Sequence, residues 1–356
     1  MREYLMAVGD TSPGPDVQRW DKLAHQAVRN LHEPSPAIFW ADLLSTATSG
    51  YALLLVAMRG RFDMVVTLLA WLAGALTLYR ALCFMHEIAH LRPGSVPGFE
   101  TAWNVLIGAP LLMPSFVYTP GVHQNHHTLS TYGTSQDPEY LPFASSHVMT
   151  TVFAIHSVLI PLALVVRFVL LGPLALLVPR LHRVLVERAS ALAMHPNFVR
   201  TATPGLLRRA YWWQAYIMAL WAGVMVLAVQ GALPWRVFAF WYATMAIVSV
   251  VNVLRTLGAH HYEGDGASMD RAAQLLDSIE TPGAWWTEVW APVGLRYHAL
   301  HHYFPGIPYH HLPEAHRRLV AVLPADATFR RTFSPSLPNS LRRLLATGWA
   351  RSRAGH

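Results

Sequence analysis

Four runs of about 20 residues in this sequence are apolar almost throughout, and they constrain the fold more than any other feature. They are Ala37–Met58, with one charge at Asp42; Met64–Met85, with one at Arg80; Tyr211–Gln230, with none; and Val237–Leu254, flanked by Arg236 and Arg255. A bilayer core of roughly 30 Å needs about 20 mostly apolar residues per helix, so each run predicts a membrane-spanning helix. Composition agrees: 13% of the 356 residues are charged, against about 25% in soluble domains. Two further apolar stretches are broken. Thr101–Tyr118 holds Pro110 and Pro114, and Thr150–Pro179 is interrupted by Pro161, Arg167 and Pro173. Proline removes a backbone donor, and irregular backbone at membrane depth survives only where protein covers it. Both stretches are expected as re-entrant hairpins or interfacial helices.

Basic residues choose the orientation. Positions 1–36 carry Arg2, Arg19, Lys22 and Arg29, and 180–209 carry six arginines, whereas the short connections 59–61 and 231–236 carry two and one. Cytoplasmic loops are enriched in Lys and Arg, which places both termini in the cytoplasm. The N-terminal 36 residues are polar, with prolines at 13, 15, 34 and 36 and no apolar run of the secretory type, so a cleaved leader is not expected. The net charge of +7 would suit nucleic acid or an anionic membrane face. The apolar runs favour the membrane, and no nucleic-acid partner is expected. The expected organisation is a cytoplasmic N-terminal segment 1–36, a membrane domain 37–319 and a basic cytoplasmic tail 320–356. Within that tail a short basic amphipathic helix is expected over roughly Ser340–Trp349.

The chain has 20 histidines and one cysteine. Three groups of histidines repeat a spacing: His86-Glu87-Ile88-Ala89-His90, His123-Gln124-Asn125-His126-His127 and His298-Ala299-Leu300-His301-His302, with the pair His260-His261 after the last apolar run. Residues at i, i+3 and i+4 share one helix face, so HxxxH aims two imidazoles at a point and HxxHH aims three. With His260 the donors number nine. A single zinc takes three or four, so the count favours two metal ions, and imidazole suits iron, copper, zinc and nickel. Each group sits at a predicted helix end, which puts a helical cap bearing the boxes on the cytoplasmic face. The fold class expected is all-α integral membrane, with about four transmembrane helices, re-entrant or interfacial helices, and that cap.

The three boxes, in this order and with these gaps, resemble those of the integral-membrane fatty acid desaturase superfamily, which includes related lipid and carotenoid hydroxylases. The likeness runs from about Ala37 to Leu319. It is most specific in Pro292-Val293-Gly294-Leu295-Arg296-Tyr297-His298 through His302-Tyr303-Phe304-Pro305, then Tyr309-His310-His311-Leu312 and His316-Arg317-Arg318-Leu319. The resemblance implies a non-haem diiron centre, dioxygen as oxidant, and electrons from a separate protein of the ferredoxin, rubredoxin or cytochrome b5 kind. Carried over by position, the ligands are His86, His90, His123, His126, His127, His260, His298, His301 and His302. Some members place an asparagine four residues before the isolated histidine. Thr256 stands there in this chain, with Asn252 a turn further back. His261 is the alternative to His260 as ninth ligand; Arg255-Thr256-Leu257, as in related bacterial chains, favours His260.

Ligating imidazoles need their other nitrogen held. Asp137, in an Asp-Pro pair after the second box, Glu87, Asn252 and Asp277 are the candidates. The activity expected is oxygen-dependent desaturation of an acyl lipid or acyl-carrier substrate at the cytoplasmic (inner) bacterial membrane. A lipid or carotenoid hydroxylase or ketolase is the alternative. His86-Glu87-Ile88-Ala89-His90 also satisfies HExxH, in which Glu87 would be the general base of a membrane zinc protease; that reading leaves seven box histidines idle. A histidine-lined metal transporter is weaker still, because transport sites lie near the midplane on broken helices. Arg317, Arg318, Arg330 and Arg331 are the expected docking face for the electron donor. His310, His311 and His316 are extra ligands, proton carriers or surface residues.

Overall fold

The computed structural model describes residues 15–189 and 194–354. The start of the expected N-terminal segment, with Pro13, and His356 lie outside the described residues. Helices make up the fold, and among the described residues the β-structure is limited to isolated bridges. Among the described residues, five helical runs are long and apolar enough to cross a membrane, one more than the four read from the sequence. The additional run is His147–Leu177.

After a first helix, α1 (Pro15–Val28), the scaffold opens with the hairpin of α2 (Pro36–Arg59) and α3 (Met64–His90). Pro36 starts α2 where its missing N–H costs nothing, and Gly60 ends it in the left-handed conformation at φ 60°. Asp63 then caps α3, accepting from Val65 N at 2.9 Å and Val66 N at 3.0 Å. Small residues let the two helices touch. A Cβ on Gly74 would lie 2.8 Å from Leu54 Cδ2 and 3.1 Å from the Gly50 carbonyl oxygen. Close backbone approach of this kind takes the place of hydrophobic driving force between helices in lipid.

Between the first two boxes, Thr101–Tyr118 folds back on itself. Buried Asn104 accepts from Ser115 N at 2.8 Å and donates to Ser115 Oγ at 2.8 Å, so the two ends of the segment lie side by side. Trp103, Ile107, Leu112 and Phe116 are buried in the main apolar core. A short helix, α4 (His123–His126), follows.

The run His147–Leu177, α5, bends instead of breaking. Pro161 falls in the first turn of a new helical piece, and a π-turn at Val166–Leu170 immediately precedes Pro173. Prolines are accommodated where the hydrogen-bond ladder is already irregular. The Phe168 carbonyl accepts from Gln214 Nε2 at 2.9 Å, and buried Arg167 donates to Gln214 Oε1 at 3.2 Å. After α6 (Pro179–Arg188) come the long helices α7 (Pro204–Val229) and α8 (Arg236–Leu257). Trp221 packs on Trp241 with centroids 5.2 Å apart, so α8 runs back alongside α7. Contacts of α5 change along its length. Val158 O accepts from Tyr242 of α8, Gln214 of α7 meets the π-turn, and His182 of α6 lies 2.9 Å from Leu207 O near the start of α7. By these contacts α5 leaves the histidine end alongside α8 and turns back toward it alongside α7.

One contact sets the level of the site. Trp71 Nε1 donates to Thr244 Oγ1 at 3.0 Å, each about two turns into its helix. Further along, Cys83 and His86 share a cavity with Asn252 and Thr256, so α3 and α8 are parallel. α3 runs on past the level where α8 ends, which brings His86 and His90 on one beside His260 just past the other. Later helices close the cap: α9 (Arg271–Asp277), α10 (His298–Tyr303), α11 (Leu312–Val322) and α12 (Leu337–Ala354). α1 packs into this cap, where Ala24, Val28 and Leu31 share a core with Leu300, Leu312 and Leu319. α12 covers the expected amphipathic segment and buries Ser340, Leu344 and Gly348, with Trp349 half exposed beneath the Arg353 guanidinium. Two arginines of the expected donor-docking face are used internally. Arg318 donates to Ala27 O and Asn30 Oδ1, and Arg330 to the Val320 and Leu323 carbonyls.

Candidate metal centre

The nine box histidines meet at the end of the helix bundle and sort into two groups. His86, His90, His123, His127 and His301 form one; His126, His260, His298 and His302 form the other. Within each group the nearest ring nitrogens lie within 4.8 Å of one another. The Nε2 atoms point inward. His260 Nε2 is 2.8 Å from that of His298 and 3.2 Å from that of His126, and His127 Nε2 is 3.1 Å from those of both His123 and His301. His261 stands outside both groups. Its backbone N–H donates to Asp277 O at 2.7 Å, which ties the start of the loop after α8 to the end of α9.

Three of the outward nitrogens, on His123, His126 and His260, are held from behind, whereas Nδ1 of His298 and His301 is buried without a partner. His126 Nδ1 lies 3.0 Å from both carboxylate oxygens of Asp137. His123 Nδ1 lies 2.7 Å from Glu139 Oε1 and 2.6 Å from the Tyr118 hydroxyl. His260 Nδ1 lies 2.9 Å from the Tyr132 hydroxyl, which itself donates to Asp277 Oδ2 at 2.9 Å. Carboxylates and hydroxyls in this position orient an imidazole and leave its inner nitrogen free to bind. Local chemistry explains why two acids serve the second box. Asp137 Oδ1 accepts from Glu139 N at 3.0 Å, forming a tight turn through Pro138 that brings both side chains back onto it.

Electrostatics suits ligation. Burial holds His123, His127, His298, His301 and His302 well below the usual imidazole range, and it lowers His260 to about 4. Burial also works against a charged His126, but Asp137 outweighs it and the net movement is upward. Neutral imidazole is the form that binds metal. Burial raises Glu139 to about 7. Both ring nitrogens of His86 and Nε2 of His90 are buried with no hydrogen-bond partner. Buried polar atoms are normally satisfied, so converging, unpartnered imidazole nitrogens fit metal ions.

The sequence-based candidates divide. Asp137 and Asp277 stand behind box histidines. Glu87 does not hydrogen-bond to one: its Oε1 is 3.6 Å from His86 Nδ1, and its Oε2 accepts from Tyr309 N at 2.9 Å, pinning the segment after the third box. Asn252 accepts from Arg255 Nη2 at 3.1 Å and lines a cavity that also reaches His86. Neither His310, His311 nor His316 joins the groups. His316 instead bonds Glu280 Oε1 at 2.8 Å, while Glu280 Oε2 accepts from Leu300 N inside the third box. Sequence reasoning gave no role to Tyr118, Tyr132 or Glu280, and counted Glu139 only among the acids near the boxes. The Asp-Pro-Glu run offered a signal for Glu139; the other three come from segments whose pairing only the fold creates.

A cavity of about 310 Å³ opens beside His86. Leu82, Met113, Phe153, Ile160 and Leu295 give it apolar walls, and Tyr118, Glu139 and Arg255 add polar groups. The fatty acid desaturase family model matches residues 64–334, a span that takes in all nine histidines and this cavity. The chain belongs to the fatty acid desaturase family. This family member is also 40% identical to a ceramide hydroxylase of Caulobacter vibrioides (strain NA1000 / CB15N) over 321 residues, which cover 89% of this chain and 91% of that one. No solved structure matches. Together these findings indicate an oxidoreductase-type enzyme of the membrane desaturase and hydroxylase superfamily, multi-pass and acting in a lipid context. They set aside the zinc protease reading of HExxH, and the Glu87 contact with Tyr309 agrees with that.

Proposed function

We propose that this protein is an oxygen-dependent lipid hydroxylase acting on a ceramide or a closely similar N-acyl lipid. The observation that carries the proposal is the 40% identity to a ceramide hydroxylase across nearly the whole of both chains. His86, His90, His123, His127 and His301 would hold one iron ion, and His126, His260, His298 and His302 the other. Iron bound there would supply the activation of dioxygen that an unactivated C–H bond requires.

The chain's own residues do the rest. Asp137, Glu139 and the Tyr132–Asp277 pair fix the imidazoles of His126, His123 and His260 so that these three keep a proton at Nδ1 and present Nε2. The apolar cavity walls hold an alkyl chain and exclude water, so orientation decides which carbon reacts. Converting C–H to C–OH consumes one dioxygen, two electrons and two protons, and releases one water. A separate redox protein of the ferredoxin, rubredoxin or cytochrome b5 kind would deliver the electrons. The excess of arginine in the segments at the histidine end supports an active site on the cytoplasmic face of the inner membrane.

Acyl desaturation is the second reading, favoured by the family match itself. It uses the same oxidant and electrons but removes two hydrogens. Expression in a host supplied with ceramide, followed by mass spectrometry of extracted lipids, separates the two. Gain of one oxygen on the ceramide is expected; loss of two hydrogens from an acyl chain would overturn hydroxylation in favour of desaturation. Substitution His301→Ala should remove the product and lower the iron content, and unchanged product would refute the metal assignment.

A further inference from the structure

Resting on the reading that a polar lipid is oxidised beside the histidine groups, we propose that Arg255 is a specificity-determining residue. Its guanidinium donates to a neutral oxygen of the lipid, an amide carbonyl or hydroxyl, and so sets which carbon of the adjoining chain lies at the histidines.

Other enclosed arginines of this protein are given partners. Arg80 is paired with Asp42 at 2.5 Å and with Glu288 at 3.3 Å. Arg167 donates to Gln214 Oε1 and the Ala189 carbonyl, and Arg200 donates to the carbonyls of Phe116 and Pro120. Arg255 differs. Nη2 donates to two neutral acceptors on its own helix, Asn252 Oδ1 at 3.1 Å and Thr256 Oγ1 at 3.0 Å. Its Nε is buried without a partner, and among the described residues no carboxylate lies within ion-pair distance of it. Burying a cation is costly unless its donors are used. A guanidinium carries five N–H donors in a fixed fork, and this one lines the cavity that also reaches His86.

The rest of the cavity says what kind of group Arg255 meets. Most of the walls are apolar and suit a hydrocarbon chain. Glu139 lines the same cavity, so an anionic head would meet a carboxyl group as well as the arginine. A neutral oxygen accepts from the guanidinium edge on the cavity without that penalty. Arg255 also lies five residues before His260, on the helix that leads into the second histidine group. An oxygen held there fixes the distance along the lipid from head to reacting carbon.

Binding separates this proposal from the reading beneath it. Purified protein in detergent would be titrated with radiolabelled short-chain ceramide, with palmitic acid and hexadecane as competitors, and iron content would be measured on the same samples. Arg255→Gln should weaken ceramide binding about 10- to 100-fold, the effect of losing hydrogen bonds from a charged group, with hexadecane competition and iron content unchanged. Arg255→Lys should fall between, since the ammonium keeps the charge but lacks the fork. Equal ceramide binding by wild type and Arg255→Gln, with iron retained, overturns the role of Arg255 and leaves the ceramide reading standing. Palmitic acid bound in preference to ceramide, and lost in Arg255→Gln, keeps Arg255 as an anchor of lipid oxygen but overturns its preference for a neutral group and the ceramide reading together. Should Arg255→Gln fail to fold, Arg255→Lys decides: a loss confined to ceramide supports the proposal, and an equal loss for hexadecane overturns it.

Discussion

At the scale of single residues, the site depends on which nitrogen of each imidazole is engaged. Inner Nε2 atoms converge while outer Nδ1 atoms meet Asp137, Glu139 and Tyr132. Removing such an outer partner costs about 10- to 100-fold in metal affinity. Asp137→Ala and Asp277→Ala should each lose iron by that factor, read by titration of metal-stripped protein. The neighbours His260 and His261 should differ: His260→Ala loses iron, whereas His261→Ala keeps it. Acid should act through the same groups. His260 is lowered to about 4 by burial, so in metal-stripped protein the folded state resists protonation that the unfolded chain accepts near about 6.5. Its contribution to stability is therefore present above about pH 6.5 and is lost as pH falls toward about 4. Thermal melts of stripped protein at stepped pH should fall across that window, and a flat profile would count against the burial argument.

Elements carry a different kind of dependence. The α2–α3 hairpin rests on backbone contact at Gly50 and Gly74, where an added Cβ on Gly74 meets the Gly50 carbonyl at 3.1 Å. Gly74→Val should destabilise by about 1–3 kcal/mol, the cost of overpacking, and thermal unfolding in detergent checks it. Glu87 belongs at this scale as well. It lies within the first box yet acts as a clamp between α3 and the segment at Tyr309. Glu87→Leu should lower stability by about 1–3 kcal/mol through the unsatisfied Tyr309 N–H, while iron stays bound. Loss of iron without loss of stability would contradict a clamping role. The bend of α5 was hidden in the sequence for a related reason. Pro161, Arg167 and Pro173 mark an irregularity, but only Gln214 on a distant helix shows how the freed Phe168 carbonyl and the buried guanidinium are satisfied.

Across the whole molecule, the histidine groups join four stretches of chain: the end of α3, the second box, the turn after α8 and the third box. A metal ion binding ligands this far apart in sequence stabilises the folded state alone. Chelation should lower the melting temperature, and iron restored to the apo-protein should raise it again. Insensitivity to chelator would argue against metal in the groups. The spans and the histidine spacings were legible in sequence because each arises from local rules: about 20 apolar residues to cross a bilayer, and i, i+3, i+4 to share a helix face. The division of the nine histidines was not legible, since box two sends His123 and His127 to one group and His126 to the other. Nor were the contacts of Tyr132 and Glu280, or the placement of Arg255 on the cavity, which depend on segments brought in from elsewhere in the chain. Sequence alone determined that this is a helical membrane protein with nine clustered imidazole donors. Only the tertiary structure decided which donors share a centre, what holds them from behind and which charge faces the cavity, because those depend on distances between segments far apart in the chain.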